Sequence, residues 1–178
     1  IVGAFSLNRD REFQDDWRLQ MKYLFERAAP LDLSEITEIY PKPYIYNYKE
    51  RIEQITKFIA SKHSEKENLM KETGIKELDV DFVCSRGVLK NVMIGNTSTE
   101  FDAIKFQNTI YLCQYVEPGK RFNTDSDSNG FIFENRMLTI NPMEAPILGP
   151  VNEAEEFIVM MKQKIKDLNV LFTVESDG

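Results

Sequence analysis

The stretch that most constrains how this chain can fold is its last ten residues, Asn169-Val-Leu-Phe-Thr-Val-Glu175-Ser-Asp177-Gly178. The run is apolar and β-branched from Val170 to Val174 and then meets two carboxylates two positions apart. That is the pattern of a buried strand ending in Glu-x-Asp. Strand side chains alternate, so both acids fall on one face. Such a strand is a rigid support for a hard cation, because Mg²⁺ takes oxygen ligands and keeps its remaining positions for water and phosphate oxygens. In isolation a solvated strand end is the stronger reading, since Asp-Gly is a common turn and acids at a strand exit are usually just solvated.

The rest of the chain narrows the chemistry by exclusion. His63 is the single histidine and Cys84 and Cys113 the only cysteines. HExxH zinc chemistry, CxxC metal sites and most histidine-based catalysis are therefore excluded. Both cysteines sit in apolar, strand-like runs and are expected as reduced core thiols. Any chemistry must come from carboxylates, Lys, Arg or Ser. A net charge of −7 argues against a broad basic nucleic-acid surface, although a cation-loaded carboxylate site can still hold phosphate. No window approaches ~18 uninterrupted apolar residues, and the start lacks a signal-peptide layout. The expectation is a soluble, intracellular single domain over residues 1–178 with no membrane partner.

In chain order, Ile1 to Leu7 reads as a strand followed by a polar turn at residues 8–11, and Trp17 to Leu24 as a loose second strand, with a helix as the alternative. The proline-punctuated segment from Ala28 to Pro43 reads as a loop. From Tyr48 to Lys71 the pattern is helical, with Ile52, Ile55, Phe58 and Ile59 on one face. Strands are expected over Val80–Cys84, Val88–Ile94, Ala103–Phe106 and Thr109–Val116, with turns at Gly95-Asn96 and Gln107-Asn108, as an antiparallel meander. The acids of residues 123–130 lack the Gly and Glu spacing of an EF-hand. Asn152 with Glu155 resembles a capping box, and Phe157, Met161, Ile165 and Leu168 at i, i+4, i+8 and i+11 predict a helix feeding the terminal strand.

Five segments, in this order, resemble the decapping exoribonuclease (DXO) family of RNA 5′-end processing enzymes. Val2-Gly-Ala-Phe-Ser-Leu7 with Arg11 is similar to the family's first strand and its substrate-contacting arginine. Phe82-Val-Cys-Ser-Arg86-Gly87 resembles its arginine-glycine motif, with Ser85 where an aromatic is usual. Phe106-Gln-Asn-Thr-Ile-Tyr-Leu112 resembles the strand that follows, and Gly130-Phe-Ile-Phe-Glu134 fits a Gly-bulky-x-bulky-Glu motif. Residues 151–177 then resemble the element carrying Glu-x-Asp.

The resemblance implies an α+β fold with a mixed, mostly antiparallel sheet and flanking helices, PD-(D/E)XK nuclease-like. It implies Glu134, Glu175 and Asp177 as catalytic carboxylates and ligands of Mg²⁺ or Mn²⁺. It implies Arg11, Glu50, Ser85, Arg86, Gly87 and Glu175 as substrate-binding residues. The implied reaction is metal-dependent hydrolysis at RNA 5′ ends: removal of incomplete or nucleotide-metabolite caps such as NAD, pyrophosphate release and 5′-3′ exoribonuclease action in RNA quality control. The implied partners are capped or triphosphorylated RNA 5′ ends and a 5′-3′ exoribonuclease, in the nucleus, the cytoplasm or both. The competing expectation is a catalytically degenerate member that binds RNA ends or a partner exonuclease. Ile158 stands where some relatives carry a polar substrate-side residue.

The family continues into a Glu-x-Lys strand, whereas this sequence stops at Gly178, so the resemblance implies a truncated, amino-terminal portion of the fold. Three expectations follow: weak Mn²⁺ binding, little hydrolysis by these residues alone, and self-association through an unpaired edge at Val170–Val174.

Overall fold

The computed structural model describes residues 1–16, 23–25, 52–62, 79–115, 133, 136–139, 141, 143–146 and 155–176, together with the strand backbone at 39–40 and 151–152. Among these residues the strands are β1 (Gly3–Leu7), β2 (Phe13–Gln14), β3 (Tyr23–Leu24), β4 (Ile39–Tyr40), β5 (Phe82–Ser85), β6 (Phe101–Phe106), β7 (Thr109–Gln114), β8 (Leu138–Thr139), β9 (Val151–Asn152), β10 (Glu156–Ile165) and β11 (Leu168–Glu175). Helix α1 covers residues 52–62 and α2 covers Arg86–Met93.

The described principal sheet has seven strands in the order β2-β1-β10-β11-β5-β7-β6. It is mixed and mostly antiparallel: β5 runs parallel to β11 and β7, and the other pairings are antiparallel. β3 pairs antiparallel with β8, and β4 parallel with β9.

The terminal strand forms where the sequence places it, but its setting corrects two expectations. β11 is a central strand between β10 and β5, so Val170–Val174 is not an unpaired edge. The segment expected as a helix is instead β10, which turns back through Lys166-Asp167 to pair with β11 from Ile165↔Leu168 to Ile158↔Glu175. The spacing that suggested a helix does not discriminate, because intervals of four and eight between Phe157, Met161 and Ile165 are even and also lie on one strand face. Burial decides it. Residues 156–160 are buried in succession, as in a strand covered on both faces rather than a helix with one wet side.

A third correction concerns Val88–Ile94, expected as a strand. Ser85 Oγ accepts from the Val88 N–H at 3.4 Å, which makes Ser85 the N-cap of α2. The helix ends at Gly95, whose φ of 65° allows the Gly95 N–H to reach Val92 O and the Asn96 N–H to reach Asn91 O, a Schellman closure. The meander is thereby reduced to the β6–β7 hairpin, turned at Gln107-Asn108. In the segment expected as a loop, Ile39 and Tyr40 form β4. Tyr23 and Leu24 form β3, and residues 17–22 lie outside the described residues.

One sheet face packs under α1. Ile55 and Phe58 from the helix join Phe5, Leu7, Val83, Ile158, Met160 and Leu171 in the largest buried cluster, with Ile52 and Ile59 partly buried against it, as the helical stripe predicts. Gly3 allows the close approach: a Cβ there would lie 2.6 Å from Phe58 Cζ. On the other face Cys84, Val88 and Val170 cluster with Phe82, Leu89 and Phe172. Neither Cys84 nor Cys113 is in a disulfide.

Candidate nucleic-acid 5′-end site

The pairing registers determine which side chains share one end of the α1-covered face. Leu7 lies opposite Glu156 and Phe5 opposite Ile158. Ile158 lies opposite Glu175, and Ser85 lies opposite Thr173. Cross-strand partners project to the same face, so the ends of β1, β10, β11 and β5 form one floor. Ser176 N–H donates to Phe157 O at 2.9 Å, which holds Glu175 beside β10. The start of α2 rises from β5 at the same end.

The result is a cleft of about 330 Å³ lined by Phe5, Leu7, Arg11, Gln54, Ser85, Arg86, Gly87, Lys90, Glu156, Ile158, Thr173 and Glu175. Five sequence-predicted site residues, Arg11, Ser85, Arg86, Gly87 and Glu175, are brought together here. Glu50, Glu134 and Asp177 lie outside the described residues. Among the described residues no cluster of three or more His, Cys, Asp or Glu could hold a metal.

Arg11 is held at both ends. Its backbone has a φ of 63°, a left-handed conformation uncommon for a residue other than glycine. The loop that imposes it is closed by Arg11 N–H to Asn8 O at 2.8 Å and by Asn8 Oδ1, which accepts from the Asp10 and Glu12 N–H groups. From α1, Gln54 Nε2 donates to Arg11 O at 3.1 Å. At the other end Arg11 Nη1 donates to Glu156 Oε1 at 2.8 Å, with the two side chains only 16% and 6% exposed. Gln54 is itself buried, and its Oε1 accepts no hydrogen bond from the described residues.

On the far side Arg86 and Gly87 begin α2 and Lys90 stands one turn on, so the positive end of the helix and two cationic side chains border one space. Burial pushes the neighbouring Cys84 thiol up to about 11, outweighing a backbone hydrogen bond from Leu89. A thiol held there stays protonated at neutral pH and is no nucleophile.

The whole chain, residues 1–178, matches the family model described as RAI1-like PD-(D/E)XK nuclease. The chain belongs to this family. It is 29% identical over 195 residues to the decapping and exoribonuclease protein Rai1 of Drosophila melanogaster, covering 99% of this chain and 51% of the fly protein. The chain thus spans about half the length of that RAI1-like relative.

Two solved structures share the RAI1-like fold. Scheffersomyces stipitis Rai1, solved in complex with (3′-NADP)+ and calcium ion, superposes with a TM-score of 0.69 at 15% identity, covering 99% of this chain and 51% of that one. Candida albicans Rai1, solved in complex with pU5-Mn2+, gives 0.66 at 12% identity, covering 98% and 52%.

Sequence reasoning missed Gln54, Lys90, Glu156 and Thr173 as residues lining this cleft. Two of them were hidden by wrong elements. Period two from Ile158 leads to Glu156 once the segment is a strand, and i+4 from Arg86 leads to Lys90 once Arg86 begins a helix. Gln54, on α1, comes four positions after the expected Glu50 in the sequence. Thr173 is two positions from Glu175 and was legible from the same alternation.

Proposed function

We propose that the cleft binds the 5′-terminal phosphate of RNA and that the chain takes part in divalent-cation-dependent hydrolysis there, removing incomplete or nucleotide-metabolite caps such as NAD. The observation that carries this reading is the convergence of Arg11, Ser85, Arg86, Gly87 and Glu175, drawn from three separate parts of the chain, on one cleft. The relatives solved with pU5 and Mn2+ and with (3′-NADP)+ and calcium ion support a 5′-phosphorylated or dinucleotide ligand and a divalent cation.

The residues present suit that chemistry. Arg11 and Arg86 offer planar forks for phosphoryl oxygens and stabilise charge developing on them, which a lysine ammonium does less specifically. Gly87, with no side chain, leaves the α2 N-terminus open to an anion. Phe5, Leu7 and Ile158 line the floor with apolar surface, which thins the water and strengthens each electrostatic contact. Glu175 is exposed at the cleft and is a hard oxygen donor, so it would hold Mg²⁺ or Mn²⁺ together with Glu134 and Asp177. Such a cation, when bound, would polarise a phosphoryl oxygen and acidify an attacking water.

The test is to incubate the chain with Mn²⁺ and triphosphorylated or NAD-capped RNA and to separate the products. Release of pyrophosphate or NAD that is lost in Glu175→Gln supports the enzyme. Binding of 5′-phosphorylated RNA without product identifies the non-hydrolytic binder, and no preference for the 5′ phosphate refutes both. A 5′-3′ exoribonuclease partner and a nuclear or cytoplasmic location belong to the same proposal, to be tested by co-purification and imaging.

A further inference from the structure

Two described carboxylates line the cleft, and they are differently placed. Glu175 is exposed at the end of β11, whereas the Glu156 side chain is 6% exposed at the start of β10. A buried carboxylate is costly to desolvate and opposes binding of an anion beside it. On charge alone it should weaken the phosphate site proposed above, on which the following inference rests.

What surrounds Glu156 accounts for its presence. It opposes Leu7 in the β1–β10 register, and Arg11 follows Leu7 by four residues, across the turn closed by Asn8. Arg11 leaves that turn with left-handed backbone, its carbonyl held by Gln54 from α1 and its guanidinium by Glu156 Oε1 at 2.8 Å. A long arginine side chain that must meet a ligand in one orientation loses much rotamer freedom on binding. A buried carboxylate that fixes it beforehand removes that loss.

We propose that Glu156 is a positioning residue: it fixes the Arg11 guanidinium across the cleft so that its edge is presented to the terminal phosphate of RNA. Its effect on affinity is transmitted through Arg11. Positioning and charge repulsion predict opposite signs, so the two are separable. If Glu156 only repels the phosphate, neutralising it tightens binding; if it positions Arg11, neutralising it weakens binding despite the relief of charge.

The experiment measures fluorescence anisotropy of the full chain, in Mg²⁺ buffer, with one short oligoribonucleotide in 5′-phosphorylated and 5′-hydroxyl forms. Wild type, Glu156→Gln, Glu156→Ala, Arg11→Ala and the Arg11→Ala/Glu156→Ala double variant are compared, with circular dichroism to establish folding. Glu156→Ala is expected to weaken binding of the phosphorylated form about tenfold or more and to leave the hydroxyl form unchanged. Glu156→Gln, which keeps a carbonyl acceptor, should weaken it less. In the Arg11→Ala background, removal of Glu156 should give no further loss.

Tighter phosphate binding by Glu156→Gln overturns the inference, and so does an equal loss with and without Arg11, the signature of a merely structural role. If Glu156→Ala does not fold, the sign of the Glu156→Gln change decides. A wild-type chain that does not distinguish the two oligonucleotides overturns the phosphate reading itself, and this inference with it.

Discussion

Gly3→Ala tests how tightly the cleft depends on the seating of α1. The added Cβ would lie 2.6 Å from Phe58 Cζ and 3.0 Å from Cε2, well inside ordinary contact distance. Phe58 cannot swing away cheaply, because it is 3% exposed and its ring packs 5.8 Å from that of Phe5. Overpacking of this kind costs about 1–3 kcal/mol, partly offset by about 0.4–1 kcal/mol from the less flexible unfolded chain. The net loss, up to about 2.5 kcal/mol, corresponds to a melting temperature lower by up to roughly 10 °C in a chain of this size. The helix that must shift carries Gln54, the donor to Arg11 O, so affinity for a 5′-phosphorylated oligonucleotide should fall with stability. Calorimetry and anisotropy on the same sample read the two effects. Phe58→Leu in the Gly3→Ala background should recover part of both, since the smaller side chain vacates the clash. Unchanged melting in Gly3→Ala, or strictly additive losses in the double variant, would refute the reasoning.

Three further outcomes are expected. Arg86→Lys should lose most of the 5′-phosphate preference with little change in melting temperature, because Arg86 is exposed and a point charge does not reproduce a bidentate fork; a large stability loss with affinity retained would make it a structural residue. Ser85→Ala should destabilise by about 0.5–1 kcal/mol, at the low end because its cap bond is long at 3.4 Å, and should weaken phosphate binding by loosening the start of α2, as paired denaturant and anisotropy titrations would show. For pH, the folded Cys84 thiol is raised to about 11, so its contribution is fully present below the unfolded pKa near 8.5–9 and is lost as pH rises through 11. Urea titrations at pH 8 and at pH 11 should show wild type losing on the order of 2 kcal/mol more than Cys84→Ala.

The gathering of Arg11, Ser85, Arg86, Gly87 and Glu175 on one cleft was legible because arginine-glycine, strand-terminal glutamate and first-strand motifs depend on local residue order, and local order survives errors in element type. Arg86 and Gly87 were read as following a strand, which they do, even though the strand expected after them is α2. The arrangement was less legible for two physical reasons. Even spacing of Phe157, Met161 and Ile165 satisfies a helix and a strand alike, and only double-sided burial separates them. Parallel pairing of β5 with β11 and β7 joins segments distant in sequence, and no local pattern reports it. Glu156 was missed as a consequence, since its partnership with Arg11 exists only once β1 and β10 are in register.

The central claim is tested most directly by determining the structure of the chain with a 5′-phosphorylated oligoribonucleotide and Mg²⁺. The account predicts the terminal phosphate in the cleft between the Arg11 and Arg86 guanidinium groups, and the cation on Glu175 at an oxygen distance of about 2.0–2.1 Å. An oligonucleotide bound elsewhere, with the cleft empty and neither the Arg11 nor the Arg86 guanidinium touching it, would contradict it.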